Sequence, residues 1–231
     1  MDNGAYHFIG VGVYSVPEAA RLTGVSAARI RRWLKGYSFR LKDEVHPMPP
    51  VWEAQLPPID GELALGFLDL VEVRFVDAFL KRGVSWHTLR LAAKQAKELF
   101  DTSHPFSTKR FKTDGRGIFV EIVQETKEKS LLDIVKSQYA FEKVMAPGLA
   151  GLEFAGSGES VRWWPLHRNR RVVIDPARAF GKPILDKEGV PTSILAQAYR
   201  VEQSIERVAH WYEVDPRSVR AAIQFEEKLA A

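Results

Sequence analysis

SVPEAARLTGVSAARIRRWLK, residues 15 to 35, decides how the rest of the chain is read. Ser15 followed three residues later by Glu18 is a capping-box pattern, and Pro17 falls in the first turn, where a missing N–H costs nothing. A helix is therefore expected to start there, with Ala19, Ala20 and Leu22 as a small apolar face and Gly24 as its end. Ser26 is placed to cap a second helix after a turn of only a few residues. In that second helix Ile30, Trp33 and Leu34 recur at i, i+3 and i+4 and are expected to pack inward. Ser26, Ala27, Arg29, Arg31, Arg32 and Lys35 are left on the other faces, so the pair reads as a helix-turn-helix whose second helix meets phosphate.

Charge along the chain agrees. From Arg21 to Lys42 there are seven Lys or Arg residues and no Asp or Glu, although the whole chain carries only +4. Concentrated positive charge on one short helix and its flank neutralises phosphates and releases counterions from a duplex, which net charge alone does not do. A solvated basic helix on an ordinary domain has the same composition, and some helix pairs of this kind bind protein.

The next segment, GYSFRLKDEVHPMPPVWEAQLPP, holds Gly36, Tyr37, Phe39 and five prolines between Pro47 and Pro58, which favour an extended hairpin or loop over a helix. A winged helix keeps its wing in this place, and Arg40 and Lys42 would touch backbone phosphate from it without reading bases. From Leu63 to Phe100 the pattern is helical in two pieces, with Gly83 between them. GVSWHTLR (83 to 90) aligns without gaps on GVSAARIR (24 to 31), and EVDPRSVR (213 to 220) fits the same frame. Turn, cap and buried aliphatic are generic requirements of capped helix pairs, so the repetition marks a shared motif and not three DNA sites.

Around FSTKRFKTDGRGIFVEIVQ, Asp114 and Gly115 lie between two short alternating runs, and a β-hairpin is expected there. Lys109, Arg110, Lys112 and Arg116 make it either a second basic element or a solvated hairpin face. Ser130 to Val144 reads as one amphipathic helix closed by Ala146, Pro147 and Gly148. Glycines at 148, 151, 156 and 158 then mark a boundary, and short strands are expected at 161–166 and 171–174. Trp163 and Trp164 with Arg168, Arg170 and Arg171 are the candidate partner-binding residues: Trp and Arg are enriched at protein interfaces, although the same indoles suit a core or stacking on single-stranded bases.

The final segment, 178 to 231, predicts three short helices beginning near Ser193, Ser204 and Asp215. Its balance from Lys182 onward is eight acidic against seven basic residues, so it has no general attraction for DNA. The expected organisation is a head at 1–147, a linker with short strands at 148–177 and a helical tail at 178–231. The fold class is mainly α with short β-hairpins (α+β), a winged helix-turn-helix head followed by a small helical bundle.

A chain of 231 residues that is 45% hydrophobic and 27% charged is ordinary for a folded protein. No run of 18 apolar residues is present, the first fifteen residues lack a basic n-region, and zero cysteines remove disulfides and thiol chemistry. A cytoplasmic location with no membrane contact is expected. Catalysis finds little support: GxSxG, HExxH and Walker patterns are missing, and six scattered histidines form no pair at ligand spacing. No catalytic residue, metal ligand or cofactor is therefore assigned.

Two resemblances extend these readings. YSVPEAARLTGVSAARIRRWLKGY, with GFLDLVEVRF and RGVSWHTLR downstream, resembles the winged helix-turn-helix domain of the MerR family. Arg31, Arg32 and Trp33 replace that family's aromatic-rich RYY, and its long coiled-coil helix and effector cysteines are missing, so metal sensing does not carry over. The tail, through Gly181–Ile184, Gly189–Thr192, Ser204–Ala209 and Tyr212–Ala222, resembles a small helical domain of unknown function found in antitoxins beside PIN-like ribonuclease toxins. The whole arrangement is similar to larger VapB-type antitoxins. The resemblance implies a DNA-binding antitoxin that represses its own operon and neutralises a PIN-like ribonuclease. Its partners would be double-stranded operator DNA, the toxin, and a second copy in a homodimer or higher oligomer. The alternative is a stand-alone regulator whose tail only dimerises.

Overall fold

The computed structural model describes residues 8–167 and 169–230. It is mainly helical, with short antiparallel strand pairs, and no described helix is long and apolar enough to cross a membrane. Contacts divide it into two compact units. One comprises Tyr14–Leu149 with Phe154–Ser160; the other comprises Met1–Val13, Ala150–Glu153 and Val161–Ala231.

The first unit begins with β1 (Tyr14–Ser15) and α1 (Val16–Thr23). Ser15 accepts from the Glu18 N–H while the Glu18 carboxylate accepts from the Ser15 N–H at 2.8 Å, completing the capping box. Gly24 closes α1 in the left-handed region at φ 71°, where a side chain is disfavoured. Val25 is buried in the turn, and α2 (Ala27–Lys35) starts at Ser26. Its Ile30, Trp33 and Leu34 are 0%, 2% and 5% exposed, as the spacing requires. Then β2 (Tyr37–Leu41) and β3 (Glu44–Met48) form a hairpin with Lys42 and Asp43 at its tip, both at positive φ.

An irregular arm leads to β4 (Ala64–Leu65), which pairs with β1, and on to α3 (Phe67–Leu80) and α4 (Trp86–Phe100). Asp69 of α3 fixes the arm: it accepts from the Trp52 indole N–H (2.8 Å) and from the Gln55 (3.0 Å) and Gly66 (2.8 Å) backbone N–H groups.

The segment expected as a hairpin around Asp114 and Gly115 is instead one helix, α5 (Lys109–Thr126), capped by Thr108. Phe111, Ile118, Phe119 and Ile122 bury a helical stripe there, and this outweighs the local turn preference of the Asp-Gly pair. Gly115 is buried within that helix, where an added Cβ would lie 3.0 Å from the Phe111 ring. Its four basic residues are therefore on a helix, and Arg116 donates to the Val135 carbonyl from Nη2 at 2.8 Å. The single helix expected over 130–144 is also corrected. The structure has α6 (Lys129–Val135) and α7 (Gln138–Leu149), separated at Lys136 and Ser137, and Pro147 lies inside α7. The break lets Leu131 and Ile134 on one piece and Phe141 and Val144 on the other each reach the interior. Phe79, Phe111, Phe119 and Phe141 form the aromatic centre of this core, with Phe79 and Phe119 centroids 4.8 Å apart.

The strands β5 (Leu152–Phe154) and β6 (Ser160–Trp163) pair with one another. In the second unit β7 (Val172–Val173) pairs antiparallel with β8 (Ile184–Leu185), and Trp163 bridges to Ile174. Three helices follow: α8 (Thr192–Glu202), α9 (Ile205–Trp211) and α10 (Pro216–Ala230), close to the expected starts. Leu195, Val208, Val219, Ala222 and Phe225 close their core.

Candidate nucleic-acid interface

The residues expected on a DNA-facing surface are carried by α2 and the β2–β3 hairpin. Ser26 is spent on helix geometry, its Oγ accepting from the Arg29 N–H at 3.4 Å, and Ala27 is half-buried beside it. Arg31 and Lys35 are exposed on α2, and Arg40 and Lys42 on the hairpin. None of these four has an ion-pair partner among the described residues. Arg32 is exposed and lies over the Tyr37 ring at 4.1 Å, which holds its guanidinium near the hairpin base.

Arg29 differs from the others. Its Nη1 lies 3.0 Å from Asp77 Oδ1 on α3, its Cζ is 5.0 Å from the Trp33 ring centroid, and Lys81 holds the other Asp77 oxygen at 2.7 Å. Asp77 was not a sequence candidate, and a carboxylate 48 positions downstream of Arg29 gives no local signal; only the tertiary fold brings them together. The arrangement clamps α2 by its least exposed arginine. Arg31, Arg32 and Lys35 remain available as a cationic row on the outer side.

In the second unit Trp163 and Trp164 are 7% and 6% exposed. Trp164 donates its indole N–H to Glu153 at 3.1 Å and packs with Val173 and Ile184, while Arg170 lies 5.4 Å from its ring. Arg171 donates to Ser218 Oγ at 3.2 Å and approaches Asp215 at 4.0 Å. The Trp164 indole is thus used inside this unit, Trp163 is buried, and Arg171 ties the strand region to the start of α10. Arg168 lies outside the described residues. The large apolar side chains that face solvent in this unit include Phe180, Ile194, Val201 and Trp211, at 62%, 43%, 76% and 61% exposure. Ile194 and Val201 share a face of α8 at i and i+7, a pattern readable in the sequence once the opposite face is known to be the core.

Among the described residues no group of three or more His, Cys, Asp or Glu is arranged to hold a metal. The buried polar cluster of the first unit is structural in its geometry. His104 Nε2 meets Asp69 Oδ1 at 3.0 Å, and Glu72 accepts from the Ser107 N–H at 2.9 Å. Burial, with Asp69 nearby, holds the Glu72 carboxyl well above the usual carboxylate range.

The protein is thus a two-unit, mainly helical one, whose first unit carries two short capped helices followed by a β-hairpin. Its backbone matches the crystal structure of Rv2018 from Mycobacterium tuberculosis with a TM-score of 0.72 at 23% identity, over 93% of this chain and 99% of that one. Residues 172–225 match a family model described as a protein of unknown function, DUF433. Along 223 residues the chain is 25% identical to the protein of Mycobacterium tuberculosis (strain ATCC 25618 / H37Rv) called "Putative antitoxin VapB45", covering 92% of this chain and 93% of the relative.

Proposed function

We propose that this protein is the antitoxin of a toxin-antitoxin pair, with a MerR-like winged helix-turn-helix head that binds operator DNA and a tail unit that captures a PIN-like ribonuclease. The observation that carries this reading is the likeness to the mycobacterial VapB45 relative, which runs almost end to end in both chains and so takes in head and tail together. The acid-free stretch from Arg21 to Lys42, folded as a turn, helix and hairpin, supports the DNA half. Ser26, Ala27, Arg31 and Arg32 would face the major groove, Arg29 would orient the helix, and Lys35, Arg40 and Lys42 would hold phosphates. One helix-turn-helix reads a half-site, so a homodimer on the operator is part of the proposal. The protein acts by binding in the cytoplasm and carries out no catalysis itself. Ile194 and Val201, exposed on one face of α8, support toxin capture, because apolar groups gathered on one face mark a partner surface where single ones do not.

Purification of the tagged chain from its own host, with mass spectrometry of the proteins retained at moderate salt, tests this. A small PIN-like ribonuclease in near-equal amount is the expected result. DNA retained without any protein partner would overturn the antitoxin half and leave a regulator whose tail serves its own dimer.

A further inference from the structure

Helix α4 carries a cationic seat that neither the helix-turn-helix nor the hairpin accounts for. Arg90 and Lys94, one turn apart, line a cleft of about 440 Å³ whose opposite wall is Pro49, Pro50 and Trp52. Arg90 is tied to the base of the hairpin: its Nη2 donates to the Pro49 carbonyl at 3.0 Å and its guanidinium lies 5.7 Å from the Trp86 ring. Its Nε and Nη1 are shielded from solvent with no hydrogen-bond partner, and no carboxylate among the described residues pairs with it. Arg90 is part-exposed at the cleft and has no counter-charge beside it, so its positive field draws an anion into the cleft. Burial pushes Arg90 down from its usual value while Tyr37 pushes it up, yet it stays a cation at neutral pH. At the far end of the cleft Lys97 is partly neutralised by Glu53 at 3.6 Å, so the uncompensated charge sits at Arg90 and Lys94.

The seat is continuous with the basic surface of α2. Arg32 covers the Tyr37 ring at the base of the hairpin, and the Val51 N–H donates to the Trp33 carbonyl at 2.9 Å. Trp33 and Trp86 meet at 5.5 Å and fix α4 against α2. Between the charged residues the walls are mostly Pro, Val, Trp and Ala, and Ser103 is the one neutral polar side chain that lines the cleft.

We propose that Arg90 and Lys94 form a backbone-phosphate seat, lengthening the protein's footprint on duplex DNA beyond the groove entered by α2. This rests on the DNA-binding reading given above. Contacts of this kind set register and affinity and carry no sequence information.

The test is a fluorescence-anisotropy titration of the full chain on a duplex from its own upstream region, over a salt series, with a hydroxyl-radical footprint. Lys94→Gln removes an exposed charge without touching the core and is expected to flatten the slope of log K against log salt by about one. It should weaken operator and scrambled duplexes by the same factor and drop protection at the flank. Arg90→Lys, which keeps the charge and loses the fork, should lose the same protection. An unchanged slope and footprint in Lys94→Gln, with binding still abolished by the Arg29, Arg31 and Arg32→Ala triple variant, overturns the seat and leaves the DNA reading standing. No binding of the wild type to any duplex overturns both. Heat stabilisation by inorganic phosphate that disappears in Lys94→Gln, with DNA binding unaltered, assigns the cleft to a free anion and overturns the proposal.

Discussion

Arg29 on the second helix and Asp77 on α3 are 3.0 Å apart, with the Asp77 side chain only 8% exposed and its other oxygen held by Lys81. The pair sets how the basic helix is presented. Replacing Asp77 by Asn leaves two cations without a counter-charge beside a desolvated site and is expected to cost about 1–2 kcal/mol. Arg29→Ala should lose comparable stability, whereas Arg31→Ala, on the outer side, should change DNA affinity alone. Urea unfolding of the three variants checks this; equal midpoints for Arg29→Ala and Arg31→Ala would mean that the ion pair does not order the helix.

A second clamp is built on Glu128. It accepts from the Ser85 N–H (2.8 Å), Ser85 Oγ (2.9 Å), Ser130 Oγ (3.1 Å) and the Thr88 hydroxyl, so it caps α4 from outside the helix. Burial alone would raise its carboxyl, but the hydrogen bonds from Thr88 and Ser85 outweigh this and hold it below 4.5. A depressed folded value means the stabilisation is present above the unfolded value and lost as pH falls through the folded one. Glu128→Gln should therefore destabilise the protein by about 1 kcal/mol at neutral pH, and the gap to wild type should close in acid. A gap of constant size from pH 7 to acid contradicts the clamp.

How much of this was legible in the sequence depended on how local the signal is. Ser15, Glu18, Gly24 and Ser26 announce α1 and α2 because caps and turns are decided within four residues. Asp114–Gly115 misled for the same reason: a two-residue turn preference is strong only where the flanking residues alternate, and Phe111, Ile118 and Ile122 repeat with a helical period instead. The break at Lys136 and Ser137 had no marker of its own. The Asp69–Trp52–His104 cluster and the Arg29–Asp77 pair join residues far apart in the chain, where spacing carries no information. Arg90 and the Pro49 carbonyl are 41 positions apart, so their contact leaves no local mark in the sequence either.

Glu72 should respond to pH in the opposite sense to Glu128. Its raised carboxyl favours the protonated form in the folded state, so its support is full below the unfolded value and is lost as pH rises toward the folded one. Glu72→Gln keeps an oxygen for the Ser107 N–H and cannot ionise. The variant is expected to melt higher than wild type at pH 8 and to match it near pH 4. A lower melting temperature than wild type at pH 8 would show that the ionised carboxylate is favoured in the core.

Phe180 offers a test of the second unit in which folding and binding pull apart. Ala179, Phe180 and Gly181 have φ of 47°, 52° and 78°, three consecutive residues in the left-handed region, two of them not glycine. Each non-glycine residue there costs roughly 1 kcal/mol. The Phe180 side chain recovers little of this by burial, since it is 62% exposed. The loop's hydrogen bonds are made by backbone: the Phe180 carbonyl accepts from the Val13 N–H at 3.0 Å, the Ala179 carbonyl from the Lys182 N–H at 3.0 Å and the Arg178 carbonyl from the Gly181 N–H at 2.9 Å, all of which glycine at 180 also permits. Phe180→Gly is thus expected to leave the thermal midpoint unchanged or raise it by an amount worth up to about 1 kcal/mol. If the exposed ring serves the partner surface proposed for the tail, the same variant should lose retained protein partner in the host purification while its DNA binding stays at the wild-type level. A lowered midpoint would place the ring among packed neighbours and remove it from the partner surface.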